Sequence, residues 1–190
     1  MGYFAVIDTE TNWADQVMSI GTVVADEHTF EILGSKYHVL TPEIDIGGMY
    51  ESVVYLEEAG EPILCTRREA MADLLSWFRE LGVRDIFAYN AAFDRIHIPE
   101  FSRLRWHDIM RIAAYRQHNR AIPASAECCS TGRLKRGYGV EAMLRLLFEK
   151  RNYQETHNAF FDAMDELEIM RLMAPPLSDY IPLPPKRCHV

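Results

Sequence analysis

Near its N-terminus the chain reads Tyr3-Phe-Ala-Val-Ile-Asp-Thr-Glu-Thr-Asn-Trp13. Tyr3 to Ile7 are apolar and rich in strand formers, which predicts a buried strand. Asp8 and Glu10 stand directly behind them. Side chains two apart on a strand share a face, so both carboxylates point the same way from the end of an apolar element. Val17 to Ala25 is a second apolar run, and Thr29 to Leu40 a less regular third. With Asp26-Glu27 as the connecting turn, the three predict an antiparallel start to a sheet.

Beyond this start, Thr41 to Pro62 reads as a long loop punctuated by Pro42, Gly47, Gly48 and Gly60. A loop of that length in a compact domain usually has a task of its own. Thr66 with Glu69 three residues later is a capping-box pattern. The helix it opens carries Met71, Leu74, Leu75 and Phe78 and stops near Gly82. Asp85 to Ala88 predicts a short strand leading to Asn90. Ala91 to Phe101 reads as a helix broken at Pro99, and Asp108 to His118 as another. Ile122 to Tyr138 is loop-like, and Gly139 to Lys150 and His157 to Met173 are the last helices. Strands first, then strands alternating with helices, predict an α/β fold with a central mixed five-stranded sheet: three antiparallel strands, then parallel ones, flanked by helices. Residues 1–174 form the domain. Residues 175–190 form a proline-rich tail that cannot be helical, read as a surface strap or a dock for a protein partner.

The chain has 190 residues, enough for one sizeable core, and a net charge of −8. That charge is uneven. Arg95 to Arg151 holds twelve Lys or Arg against five Asp or Glu, whereas the rest holds eight against twenty-three. Clustered basic charge, here including Arg133, Lys135 and Arg136, suits phosphate binding. No apolar run approaches the ~20 residues needed to span a bilayer, and no signal-peptide pattern is present, so a cytoplasmic protein without a membrane partner is expected. Cys65, Cys128, Cys129 and Cys188 form no C-x-x-C pair and read as reduced thiols.

Three further positions, Asp94, His157 and Asp162, extend the acidic pair into a constellation. Asp94 lies about one helical turn after Asn90, and His157 precedes Asp162 by five residues. Cleaving a phosphodiester requires stabilising an attacking and a leaving oxygen on opposite sides of phosphorus. Two divalent cations ~3.5–4 Å apart do this when several carboxylates converge. Oxygen ligands favour Mg²⁺ or Mn²⁺ over Zn²⁺. An imidazole, which titrates near neutrality, can serve as general base toward water.

Asp8-Thr9-Glu10, Asn90-Ala-Ala-Phe-Asp94 and His157-Asn-Ala-Phe-Phe-Asp162 together resemble the DEDDh branch of the proofreading 3′-5′ exonuclease superfamily. Trp106-His-Asp108 is a weaker match, and the likeness runs from about Tyr3 to Leu172. Thr11-Asn12-Trp13 and Asn158 depart from the family pattern. The resemblance implies a ribonuclease H-like fold and two Mg²⁺ or Mn²⁺ held by Asp8, Glu10, Asp94 and Asp162. Asp8, Glu10 and Asp162 would share one ion, Asp8 would also bridge to the second, and Asp94 would act largely through water. His157 would be a mobile general base, and nucleoside 5′-monophosphates would be released from the 3′ end of single-stranded DNA or RNA.

Thr9 and Thr11 are candidates for hydrogen bonds to the terminal nucleotide. Trp13, Phe93 and Phe160 are candidates for base stacking, and Asn90 for capping or orienting the backbone there. Ala91 and Ala92 leave room for close approach. His97, His107 and His118 read as structural. Two alternatives remain: an exonuclease-fold binding subunit of a larger nucleic-acid-processing complex, with homodimerisation open, and a phosphodiesterase acting on small nucleotides.

Overall fold

The computed structural model describes residues 2–148 and 152–184. Lys150, Arg151 and Cys188, with the rest of the tail from 185, lie outside them. The strands are β1 (Tyr3–Thr11), β2 (Val17–Asp26), β3 (Ile32–Leu40), β4 (Ile63–Cys65), β5 (Asp85–Ala88) and β6 (Arg105–Asp108). They form one sheet in the order β4-β3-β2-β1-β5-β6. β1 to β3 are antiparallel neighbours, while β4, β5 and β6 join in parallel. The sheet therefore has six strands among the described residues, not the expected five. The short edge strand β4 has too few residues to show an alternation, and Ile63 and Leu64 are exposed.

Residue alternation along β1 separates two cores. Phe4 and Val6 pack with Val23, Phe87 and the helices α3 (Met110–Ala113), α4 (Val140–Leu147) and α5 (Ala159–Met173). Ala5 and Ile7 pack on the opposite face with Ile20, Val24 and the helix α1 (Arg67–Leu81). β2 is buried from Val17 to Ala25 because both of its faces are covered. Asp8 and Glu10 continue the Phe4–Val6 face toward α5, whereas Thr9 continues the other.

The predicted capping box forms: the Thr66 backbone N–H donates to Glu69 Oε2 at 2.9 Å, and the Thr66 hydroxyl accepts from the Glu69 N–H. Gly82 ends α1 in the left-handed region, at φ 73°. α2 (Ala92–His97) stops before Pro99, as expected. The helix expected over Asp108 to His118 shrinks to the four residues of α3. Asn119 is buried and its side chain donates to the Ala113 carbonyl at 2.7 Å, which takes a helix-end acceptor and turns the chain. The loop from Thr41 to Pro62 contains three 3-10 turns, and Ile44, Val54 and Ala59 pack with Tyr37, Val39 and Ala159 in a third core. α5 begins at Ala159 rather than His157. Asn158 is its cap, accepting from the Phe160 N–H at 3.0 Å.

Among the described residues no helix is long and apolar enough to cross a membrane. The described part of the tail runs along β6: the Leu183 N–H donates to the Trp106 carbonyl at 2.7 Å, and Tyr180 is buried against Phe87. The strap covers an edge that would otherwise present unpaired backbone groups.

One close approach sets where α5 lies. Gly21 pairs across the sheet with Asp8, and a Cβ at Gly21 would stand 1.9 Å from the Ala159 carbonyl oxygen and 2.6 Å from Phe160 Cα. Both are backbone atoms, so no rotamer change relieves the clash. Gly21→Ala is expected to lower stability by about 3 kcal/mol, at the upper end for overpacking, and to displace α5. Urea denaturation checks this; a variant as stable as the wild type would mean that the helix moves aside freely.

Candidate active site

Three elements converge at the C-terminal end of β1. β1 supplies Asp8 and Glu10, α2 supplies Asp94, and α5 with the residue before its cap supplies Asp162 and His157. Donor atoms of Glu10, His157 and Asp162 lie within 4.8 Å of one another. Asp94 and Asp162 are buried, and Asp8, Glu10 and His157 are half-buried.

Local sequence explains the convergence. The β1 register aims Asp8 and Glu10 at α5. Asn158 caps α5 and also donates through Nδ2 to the Val53 carbonyl at 2.7 Å and the Tyr37 hydroxyl at 3.1 Å. Asp162 then sits in the first turn of α5, the turn whose Ala159 and Phe160 backbone rests on Gly21 of β2. Asn90 adopts the left-handed region at φ 61°, and its backbone N–H donates to Asp108 Oδ1 at 3.0 Å. That turn launches α2 and buries Asp94.

Burial is the main force on each carboxyl, and the carboxyls also repel one another. Glu10 is pushed up to about 8 by burial, then by Asp162, Glu155 and Asp94. Asp162 is pushed up to about 8 by burial and then by Glu155. Burial raises Asp94 to about 7, although the Thr9 hydroxyl donating to Asp94 Oδ1 at 2.8 Å pulls the other way. Asp8 is held well above the usual carboxylate range by burial, followed by Asp94, Asp162 and Glu10. Asp8 Oδ2 and Asp162 Oδ1 are buried without a hydrogen-bond partner. Clustered carboxyls with unpaired buried oxygens fit a divalent cation, which would supply the missing contact and cancel the repulsion.

The remaining sequence candidates fall in different places. Thr9 is buried on the opposite face of β1, and its hydroxyl donates to Asp94 Oδ1. The two-residue period that pairs Asp8 with Glu10 is what turns Thr9 away. Asn90 is exposed and does not cap α2 through its side chain. Phe160 packs against Tyr37 and Phe161 in the third core, its ring 5.9 Å from Tyr37. Thr11 is half-buried at a β-bulge. Trp13 is 69% exposed, with its N–H donating to Gly47, and Phe93 is partly exposed beside His97.

Three residues near the site escaped the sequence reading. Glu166 follows Asp162 by one helical turn on the same buried face, a spacing visible in the sequence. Burial raises it well above the usual range, with Asp8 and Asp94 adding to this. Glu155 is half-buried, and its backbone N–H donates to Glu141 Oε2 at 3.1 Å. Tyr50, from the long loop, lays its ring on His157 with centroids 4.3 Å apart. Neither Glu155 nor Tyr50 carries a local signal.

No protein-family model matches the sequence, and no curated protein matches it. Solved structures share its fold. Exonuclease X in complex with 5′-overhanging duplex DNA superposes with a TM-score of 0.54 at 21% identity, over 94% of each chain. The nuclease domain of 3′hExo, a DEDDh family member, bound to rAMP superposes with 0.61 at 16% identity, over 96% of each. E. coli exonuclease I in complex with a dT13 oligonucleotide superposes with 0.61 at 14% identity, over 94% of this chain and 42% of that one. The α/β architecture is thus the ribonuclease H-like fold of these nucleases.

The raised carboxyls set a sign for pH dependence. Unfolded, they would titrate near ~4; folded, Asp94, Glu10 and Asp162 keep their protons to about 7 and about 8. The folded state binds more protons across that window, so stability falls as pH rises through it. Without metal, the melting temperature is expected to be lower at about pH 8.5 than at about pH 6. Added Mg²⁺ or Mn²⁺ should restore it most at the higher pH. Thermal melts with and without EDTA test this; a curve that rises over the same window would contradict it.

Proposed function

We propose that this chain is a metal-dependent 3′-5′ exonuclease acting on single-stranded nucleic acid ends. The observation that carries the reading is the convergence of Asp8, Glu10, Asp94, Asp162 and His157 from separate elements, with Asp8 Oδ2 and Asp162 Oδ1 left unpaired. Three superposed nucleases with the same fold support it.

In this reading Asp8, Glu10, Asp94 and Asp162 hold two Mg²⁺ or Mn²⁺. When bound, the cations supply positive charge where it builds on the attacking and leaving oxygens. Thr9 fixes the Asp94 carboxylate through its hydroxyl. His157 takes the proton from the attacking water as the new P–O bond forms, the bond from phosphorus to the 3′ oxygen breaks, and that oxygen takes a proton from solvent. A nucleoside 5′-monophosphate leaves. Trp13, exposed just past the end of β1, and Phe93 on α2 offer flat apolar faces for unstacked bases, worth ~1–3 kcal/mol each. The basic block from Arg95 provides charge for the strand. Arg133 lies over the Tyr138 ring at 4.5 Å, and the Tyr89 hydroxyl donates to the Tyr138 carbonyl, which joins that block to the turn before α2.

The close trio of Glu10, His157 and Asp162 favours a second role for the imidazole, that of a metal ligand. A cleavage ladder on 5′-labelled single-stranded DNA and RNA, in Mg²⁺, Mn²⁺ or EDTA, tests the reaction and names the preferred strand. Metal-dependent shortening from the 3′ end is expected, absent in Asp8→Ala. Cleavage of free nucleotides but not oligonucleotides would favour a small-nucleotide phosphodiesterase. His157→Ala is expected to slow turnover ~10²–10⁴-fold while calorimetry still detects metal binding. Loss of binding together with turnover would make His157 a ligand instead.

A further inference from the structure

The long loop between β3 and β4 reaches the site through one residue. Tyr50 and His157 stack with ring centroids 4.3 Å apart and planes 18° from parallel. The two are far apart in sequence, and neither belongs to a regular strand or α-helix. A general base is commonly oriented by a third group that hydrogen-bonds its far nitrogen. At this site hydrogen bonds serve Asp94, Asn158, the loop and the His157 backbone, which meets the Asp162 carboxyl, and the ring contact on the imidazole is the Tyr50 face.

The loop that carries Tyr50 is pinned on three sides. Asn12 Nδ2 donates to the Glu43 carbonyl at 2.9 Å, which ties the loop to the exit of β1. The Trp13 N–H donates to the Gly47 carbonyl at 2.9 Å. Asn158, next to His157, donates to the Val53 carbonyl at 2.7 Å, and the Tyr37 hydroxyl donates to the Val54 carbonyl at 2.9 Å. His157 itself adopts the left-handed region at φ 57°. A non-glycine residue stays there, at a cost of about 1–3 kcal/mol, only where its surroundings over-determine it. Asp162 bonded to the His157 backbone, the neighbouring Asn158 side chain and the Tyr50 ring supply that restraint, with Tyr50 the one that meets the imidazole. The Tyr50 hydroxyl stays protonated: burial raises it first, and then the charges of Glu10, Glu155 and Asp162.

We propose that Tyr50 is the positioning residue for His157, the wall that holds the imidazole beside Glu10 and Asp162, so that the loop and the α5 N-terminus work as one unit. This rests on the exonuclease reading for its kinetic consequence, but not for the stack itself. The ring face does the holding, so the phenol oxygen is dispensable. Tyr50 would act on turnover rather than on strand binding.

The stack is tested first in the metal-free protein by NMR of the imidazole protons of His157, assigned by their loss in His157→Ala. The Tyr50 ring current should hold them upfield in the wild type and in Tyr50→Phe, and they should return downfield in Tyr50→Ala. Unchanged positions in Tyr50→Ala would overturn the stack whether or not the chain cleaves nucleic acid. With the full chain and single-stranded substrate, Tyr50→Ala should lower kcat ~10–100-fold, the scale of a small misplacement of a reacting group, with KM within about threefold. Tyr50→Phe should recover most of the loss. A raised KM with unchanged kcat would make Tyr50 a substrate contact and sink the positioning role. Circular dichroism melts of both variants separate these outcomes from unfolding. A wild type without any cleavage, but with the shifted imidazole protons, would fail the exonuclease reading and leave the stack standing.

Discussion

The approach of α5 to β2 at Gly21 governs the geometry of the site. A Cβ there would meet the Ala159 carbonyl carbon and oxygen and Phe160 Cα, all backbone. Only hydrogen at that position lets the first turn of the helix rest on the sheet. Because Gly21 faces Asp8 across the ladder, the same contact brings Asp162 over the Asp8–Glu10 face. Asn158 then fixes the helix from its other side, capping it and reaching across to Val53 and Tyr37. The carboxylates meet because a backbone-to-backbone contact allows it.

What they meet at is an unfavourable arrangement. Each carboxyl loses hydration, and each faces the others in a poorly screening interior. The fold can sustain this because the apolar half of β1 is locked between two cores. Phe4 packs edge-on against Phe30 and Phe87 on one side, while Ile7 and Ile20 pack beneath α1 on the other. The cost at the end of the strand is offset along its length. Glu166 sits beneath the cluster as a further buried carboxyl, raised mainly by its burial.

The periphery is organised around the same end of the sheet. The loop after β3 packs on Tyr37 and Ala159 and delivers Tyr50 to His157, so a segment without strand or α-helix acquires a fixed place. At the far edge, the tail lays Tyr180 and Leu183 against β5 and β6. His107 bridges them, its Nδ1 2.8 Å from the Tyr180 carbonyl and its Nε2 2.8 Å from Asp85. That edge is thereby tied down through Asp85, apart from Asp8, Glu10, Asp94 and Asp162.

Much of this was legible in the chain alone, for a physical reason: the informative features are local and periodic. Two-residue alternation places Asp8 with Glu10, a capping box starts α1, a glycine ends it, and an apolar run marks each long strand. Some short elements were legible, such as β5 at Asp85–Ala88, and others were not. β4 has three residues and exposed side chains, and α3 was cut short by a hydrogen bond from Asn119, six residues from its acceptor. The partners of the site residues were decided by tertiary structure only. Thr9 belongs to Asp94, Phe160 to the core, and Tyr50 to His157, because each pairing joins residues far apart in sequence. The sequence by itself determined which residue types line one face of one strand. Which of them meet, and how far their charges are pushed, depended on how closely a helix could settle onto a glycine.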